Sequence, residues 1–221
     1  MKLFHHILEF LFPSKCILCG KILHKDQLDL CKTCRAEISD HPKPKNPIQF
    51  LASRTVLWYY EGNVRQSLLR YKFSNRRSYA ATYGRLLAMK LQRDYPDGFD
   101  VLTWIPISAQ RKLERGYDQV ELIAGAVAAE LGMEPIRTLE KIRNNRPQSE
   151  ISGSAERRAN VLGVYRATDP ELVRGKRVLL LDDIITTGAT ASEAARVLLT
   201  AGAGEITCAA VAAASHSKKT Q

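Results

Sequence analysis

The 221-residue sequence has no apolar run near the roughly 18 residues that cross a bilayer, so a membrane-spanning role is not expected of it. Acid is scarce: 33 Lys and Arg face 23 Asp and Glu, a formal charge of +10. Histidine is scarce too, and its five positions (5, 6, 24, 41 and 216) fall near the ends or in the first fifth of the chain. No internal repeat is visible. What remains is ordinary for a globular protein, with 45% hydrophobic and 25% charged residues. The length suits one full domain plus a small module, at roughly 100 to 200 residues per domain. The opening MKLFHHILEFLFPSKC looks like a weak signal peptide, but His5, His6 and Glu9 interrupt its apolar stretch and no small-x-small cleavage site follows. It is read as an amphipathic helix packing on a core, in a cytoplasmic chain.

Cysteine is confined. Cys16, Cys19, Cys31 and Cys34 form C-x2-C-x11-C-x2-C, while Cys208 stands alone in the apolar run ITCAAVAAA. Two such knuckles bring four thiolates to the short reach that tetrahedral zinc needs, with Gly20 easing the first turn. Disulfides are the competing reading, which a reducing compartment disfavours. With four sulfurs the metal has no open position, so its role is structural. Cys208 reads as a small buried hydrophobe. The proline-rich DHPKPKNP, residues 40 to 47, marks a linker, dividing the chain into a module over 1–45 and a larger domain over 51–221.

That larger domain alternates strand and helix patterns. TVLWYY, FDVLTWIPI (interrupted at Pro106), the weaker PIRTLEKI, KRVLLLDDI and EITCAAVAA read as strands. Tyr79, Tyr83, Leu86, Leu87 and Leu91 form one helical stripe, and Val120, Ile123, Val127 and Leu131 another that stops at Gly132. KRVLLLDDI, unbroken and ended by acids, has the look of a central parallel strand. The class is α/β with a mainly parallel sheet. Ligands in such sheets bind beyond the carboxyl ends of the strands, which draws together the turns after Ile105 and Leu181. Lys141 to Val161 is polar, without clear helical or strand period, and long enough to be a cover over them.

One further stretch is basic. Arg65, Arg70, Lys72, Arg76 and Arg77 occur with no acid between Val64 and Tyr79, interleaved with Tyr71, Phe73 and Tyr79 as single-stranded nucleic acid sites often are. A solvated basic face is the alternative, and Tyr71 and Phe73 are expected on the buried side of a helix.

The segment LLLDDIITTGAT poses a chemical question. A strand delivers Asp182 and Asp183 to the sheet edge, and a short turn enters a helix near Thr190. Free N–H groups at a helix start favour phosphate, the hydroxyls of Thr186, Thr187 and Thr190 add donors, and Gly188 with Ala189 lets the backbone come close. The carboxylates then face hydroxyls or a metal-bound species; a ribose 5-phosphate unit meets both demands. A Walker-type loop would need a lysine after the glycine, and there is none. The alternative is a plain turn with Thr190 as a helix cap.

Two acids after an apolar run, followed by T-T-G-x-T, resemble the 5-phosphoribosyl-1-pyrophosphate (PRPP) motif of type I phosphoribosyltransferases. With the four-cysteine module, YYEGNVRQSLLRYKF, IPISAQRKLERGYDQ and RPQSEISGSAERRANV, nearly the whole chain is similar to the ComF (competence protein F) family. The resemblance implies a type I phosphoribosyltransferase fold behind a zinc-ribbon-like module. It implies a PRPP loop over 182–190, a pyrophosphate loop over 106–111 and a flexible loop over 141–161. Pro106, Ser108, Arg111, Lys112, Arg115 and Gly116, with Gln148 and Arg157, would handle the pyrophosphate. Gln119 and Asn160 also match family positions. RGYDQ departs from the usual R-G-F-N-Q, and Asp118 is read as a partner for Mg²⁺ or Arg115 rather than a phosphate contact. Mg²⁺ would come with PRPP. A transferase with an unidentified acceptor is implied, or a non-catalytic sensor, linked to natural competence, single-stranded DNA and the helicase or recombination proteins that handle it. The similar amidophosphoribosyltransferases carry a cysteine at a processed N-terminus; residue 2 here is Lys, so no glutaminase activity is expected.

Overall fold

A computed structural model describes residues 13–38, 47–143 and 154–214. The expected N-terminal helix, all of the linker but Pro47, and residues 144–153 of the expected cover, Gln148 among them, lie outside these residues. The described elements are α1 (Lys32–Glu37), β1 (Ser53–Tyr59), α2 (Gly62–Phe73), α3 (Tyr79–Asp94), β2 (Val101–Trp104), α4 (Ala109–Arg115), α5 (Gln119–Leu131), β3 (Leu139–Lys141), α6 (Ser154–Val161), β4 (Tyr165–Ala167), a 3-10 turn, β5 (Arg177–Ile185), α7 (Ala189–Thr200) and β6 (Glu205–Ala213).

Four strands form a parallel sheet in the order β1-β6-β5-β2, and β3 pairs with β4 as an antiparallel hairpin. Strand β5 is central, as its continuous apolar run predicts. It does not end at the acids: the ladder continues through Asp182 opposite Ala210 and Ile184 opposite Ala212 to Ile185 opposite Ala213. The alanines of β6 leave room beside the carboxyl side chains, so backbone pairing outlasts the apolar run.

Successive strand residues face opposite sides of the sheet. Leu179 and Leu181 join a core with α2, α3 and α5, whereas Val178 and Leu180 join a second core with α7. Asp182 and Asp183 inherit this alternation and point toward opposite layers. On the first face α3 lies against α5 so closely that a Cβ on Gly84 would stand 2.3 Å from that of Ala126. The four-cysteine module packs on this face as well. Ile17 and Leu18 share its core with Leu68, Tyr71 and Tyr83, and Asp29 pairs with Arg85 of α3.

Two local expectations need correction. Phe73 is 68% exposed. The buried stripe of α2 is Val64, Leu68 and Tyr71, and a residue two places after Tyr71 lies about 200° around the helix. The Lys141–Val161 segment is not wholly irregular either, because Ser154–Val161 is helical. Its apolar residues were too few to announce a period.

Candidate functional site

The carboxyl end of β5 turns into α7 through Thr186, Thr187 and Gly188. Gly188 has φ 79° and stands as the N-cap of α7 without any side-chain cap. A Cβ there would meet Ile48 Cδ1 at 2.5 Å, so glycine is required both for the left-handed backbone and for the Ile48 contact. Thr187 Oγ1 accepts from the Ala189 N–H at 3.4 Å. Thr186, Thr187 and Thr190 are half-buried, and Ala189 is buried. Hydroxyls and helix-start N–H groups thus meet in one turn, the donor set that an anion favours.

The two acids have different surroundings. Asp183 is buried and held on its Oδ2 by Lys72 Nζ at 2.8 Å and by Gln119 Nε2 at 2.9 Å. Gln119 Oε1 is buried without a hydrogen-bond partner, and Tyr71 Oη donates to the Gln119 carbonyl at 2.7 Å. Asp182 faces the other layer, where its Oδ1 accepts the Asp183 N–H at 2.8 Å. Burial, and then the charge of Asp183, push its carboxyl up to about 8.

The hairpin closes over this second layer. Lys141 and Tyr165 are paired across β3 and β4, with Lys141 Nζ 5.6 Å from the Tyr165 ring centre. Burial, then the nearby Arg111 charge, bring Lys141 down to about 8, against the pull of Asp182 and Asp118. A cation pair, Arg111 and Lys141, thereby sits in the field of an acid pair, Asp118 and Asp182.

The loop after β2 supplies the rest. Pro106 and Ser108 are buried, and Ser108 Oγ caps α4 by accepting the Arg111 N–H at 3.3 Å. Gly116 ends α4 in the left-handed region. Asp118 caps α5 through Oδ1, which accepts from Val120 N–H at 2.9 Å and Glu121 N–H at 3.2 Å. Its Oδ2 accepts the Ile107 N–H at 3.1 Å. The acid at this position therefore braces the loop after β2, and it pairs with backbone rather than with Arg115. Lys112 Nζ is spent on Glu121 at 2.8 Å on the surface, and the Arg115 guanidinium lies over the Phe73 ring at 5.1 Å. Arg157 belongs to α6.

The basic stretch divides. Lys72 turns inward to Asp183, and Arg70 donates to the Ile17 and Leu18 carbonyls at 3.3 and 2.5 Å. Arg65, Arg76 and Arg77 are exposed, the last stacked on Tyr117 at 4.8 Å. Lys72, Gln119, Lys141 and Tyr165 thus join the acids, though the residue pattern marked only Lys72 and for another surface. Gln119 had family likeness in its favour and Lys141 was marked only as the first residue of the expected cover; Tyr165 had no signal, since its meeting with Lys141 depends on hairpin register.

In the module, the sulfurs of Cys16, Cys19, Cys31 and Cys34 all lie within 4.8 Å of one another. Burial, with the neighbouring thiols, raises Cys34, and a dication relieves that crowding by holding the sulfurs as thiolates. The donor set fits zinc. Among the described residues no helix is long and apolar enough to cross a membrane.

Comparison with known proteins follows this division. Residues 121–221 match the phosphoribosyl transferase domain, and residues 7–45 the double zinc ribbon domain. The chain is 27% identical over 217 residues to DNA utilization protein YhgH of Salmonella typhi, covering 88% of this chain and 94% of that protein. It is 28% identical over 189 residues to competence protein ComFC of Bacillus subtilis (85% and 72% covered). To competence protein F of Haemophilus influenzae it is 24% identical over 221 residues (88% and 95%). Among solved structures, the glutamine PRPP amidotransferase of B. subtilis aligns at 25% identity with a TM-score of 0.43, over 64% of this chain and 30% of that one.

Proposed function

We propose that this chain, similar over most of its length to competence protein ComFC and competence protein F and matching a double zinc ribbon and a phosphoribosyl transferase domain, is a ComF-type, cytoplasmic, competence-linked protein binding PRPP or a related ribose 5-phosphate compound. One observation carries the reading: the β5–α7 junction joins two buried acids to a glycine-led helix start lined by threonine hydroxyls. In it, Asp182 and Asp183 grip the ribose hydroxyls, and Thr186 to Thr190 with the first N–H groups of α7 hold the 5-phosphate. Arg111 and Lys141 face the pyrophosphate, the group that Pro106, Ser108, Gly116, Gln148 and Arg157 were expected to serve. Mg²⁺ would come with the substrate, where it would offset the charge of the phosphate oxygens. The ribbon over 1–45 has a structural metal, and 51–221 form the ligand-binding domain.

In phosphoribosyl transfer the bond from C1 to pyrophosphate breaks ahead of attack, leaving positive charge on the sugar. Fixed cations beside the leaving group and fixed acids beside the sugar stabilise both developing charges. No histidine lies among the described site residues, and the acceptor is the nucleophile that attacks C1.

Calorimetry with PRPP and Mg²⁺ tests the reading. Saturable binding by the wild-type chain, lost in Asp182→Ala, is expected; no heat from either would sink it. Consumption of PRPP in a screen of acceptors separates a transferase from a sensor.

A second reading has its own support in Arg65, Arg76 and Arg77, the exposed arginines of the stretch between Val64 and Tyr79, and in the words DNA utilization and competence in the relatives' names. Single-stranded DNA binding should weaken steeply as salt rises, and further in the double variant Arg76→Ala, Arg77→Ala. Unchanged binding by that variant would exclude this face.

A further inference from the structure

Helix α2 carries at one end the lysine that holds Asp183, and along the same helix the contacts that hold the first zinc knuckle. Arg70 donates to the carbonyls of Ile17 and Leu18, the two residues between Cys16 and Cys19. Ser67 Oγ donates to the Ile17 carbonyl at 2.5 Å and meets Tyr83 Oη at 2.7 Å. Asn63 Nδ2 approaches Cys34 Sγ at 4.0 Å. Tyr71, between Arg70 and Lys72, is fully buried; its hydroxyl donates to the Gln119 carbonyl, and its own carbonyl accepts from Tyr117 Oη.

The details at Asp183 show what this helix is placed to do. Lys72 and Gln119 both approach the same oxygen, Oδ2, and neither takes Oδ1. Two donors on one oxygen fix where that oxygen sits and leave Oδ1 for a ligand hydroxyl. Gln119 is oriented through its backbone by Tyr71, so both donors to Asp183 depend on α2. Lys72 is a half-buried ammonium with its side chain 16% exposed. Its position is therefore set by the helix rather than by solvent.

We infer that Lys72 is a positioning residue for the sugar-binding acid Asp183, and that α2 makes this position depend on the zinc knuckle. The module is then a foundation of the ligand site, and loss of the metal, by chelation or by oxidation of its thiolates, loosens the site from behind without blocking it. The inference rests on the proposed PRPP reading for its consequence in binding, but the mechanical link stands on the hydrogen bonds alone.

The test uses the full-length metal-bound chain. Hydrogen exchange of the peptide spanning residues 178–190, measured without ligand, reads the link directly. Arg70→Ala and, as a second variant that removes no charge, Ser67→Ala are each expected to keep one zinc per chain and to lower protection of that peptide. Removing zinc from the wild-type chain should lower it further. Calorimetry with Mg²⁺ and PRPP then reads the consequence: Lys72→Met should weaken binding roughly 10- to 100-fold, by analogy with the loss of an outer-shell partner behind a metal ligand, and Lys72→Arg should recover most of it. Unchanged protection in both α2 variants and in the zinc-stripped chain would overturn the link. Wild-type affinity in Lys72→Met would overturn the positioning role. If the wild-type chain binds no PRPP, the parent reading fails while the exchange experiment still decides the link.

Discussion

Asp182 is a buried carboxyl with Asp183 as its chain neighbour. Its folded pKa, pushed up to about 8, lies well above the range near 4 of an unfolded aspartate. Folding therefore takes up a proton wherever the unfolded acid is ionised, and stability falls as pH rises from about 4 toward 8. Asp182→Asn keeps the acceptor for the Asp183 N–H and removes the titration. Melting curves should show the variant more stable than wild type at pH 8 and nearly equal at pH 4. At about 2–4 °C per kcal/mol for a chain of this size, the gap is easily read. Parallel pH dependences would show that Asp182 is not the group responsible. The same variant should bind PRPP poorly, so stability and ligand affinity move in opposite directions. At this scale the acids and threonines were legible because chemistry-bearing side chains cluster within nine residues of sequence. Their partners were not: Lys72 is 111 residues from Asp183 in the chain and lies in a run of arginines whose other exposed members face solvent.

Elements were more legible than residues where one period dominated. The stripes of α3 and α5 and the apolar run of β5 all formed as their spacing required. Boundaries were set by neighbours instead, which is why β5 runs on past its acids and α6 emerges from a polar stretch. Helix packing also turns on a residue that periodicity ignores. Gly84 on α3 admits the backbone of α5, and a Cβ would fall 2.3 Å from Ala126 Cβ and 2.8 Å from its carbonyl carbon. Backbone cannot rotate away as a side chain can, so Gly84→Ala should cost about 1–3 kcal/mol, the range for overpacked cores. Denaturant titration checks this; a midpoint within error of wild type would mean that the two helices slide apart freely. Asp118→Ala should also destabilise, by about 1–2 kcal/mol for the lost cap of α5. Its separate effect, release of the Ile107 N–H, should appear as faster exchange in residues 105–108.

The whole molecule combines two patterns that lie apart in sequence but that a single core unites. Cysteine spacing and strand–helix alternation are each local, so both were readable. That Ile17 and Leu18 would pack with Leu68, Tyr71 and Tyr83 was not, because neither pattern specifies which face of the domain the module covers. The consequence concerns metal removal. A zinc ribbon owes its fold to the metal, so Cys16→Ser should lose zinc and unfold the described module. If the module were an independent appendage, the rest of the chain would melt at an unchanged temperature. Here the loss also uncovers the core beneath it. Ile17 and Leu18 are each almost fully buried, and two such side chains contribute about 1.5–3 kcal/mol apiece. At about 2–4 °C per kcal/mol, the main transition should fall by on the order of 10 °C. Scanning calorimetry of wild type and Cys16→Ser, with zinc counted in each, distinguishes the two cases. A main transition that stays put while zinc is lost would mean that the metal module contributes nothing to the core it covers.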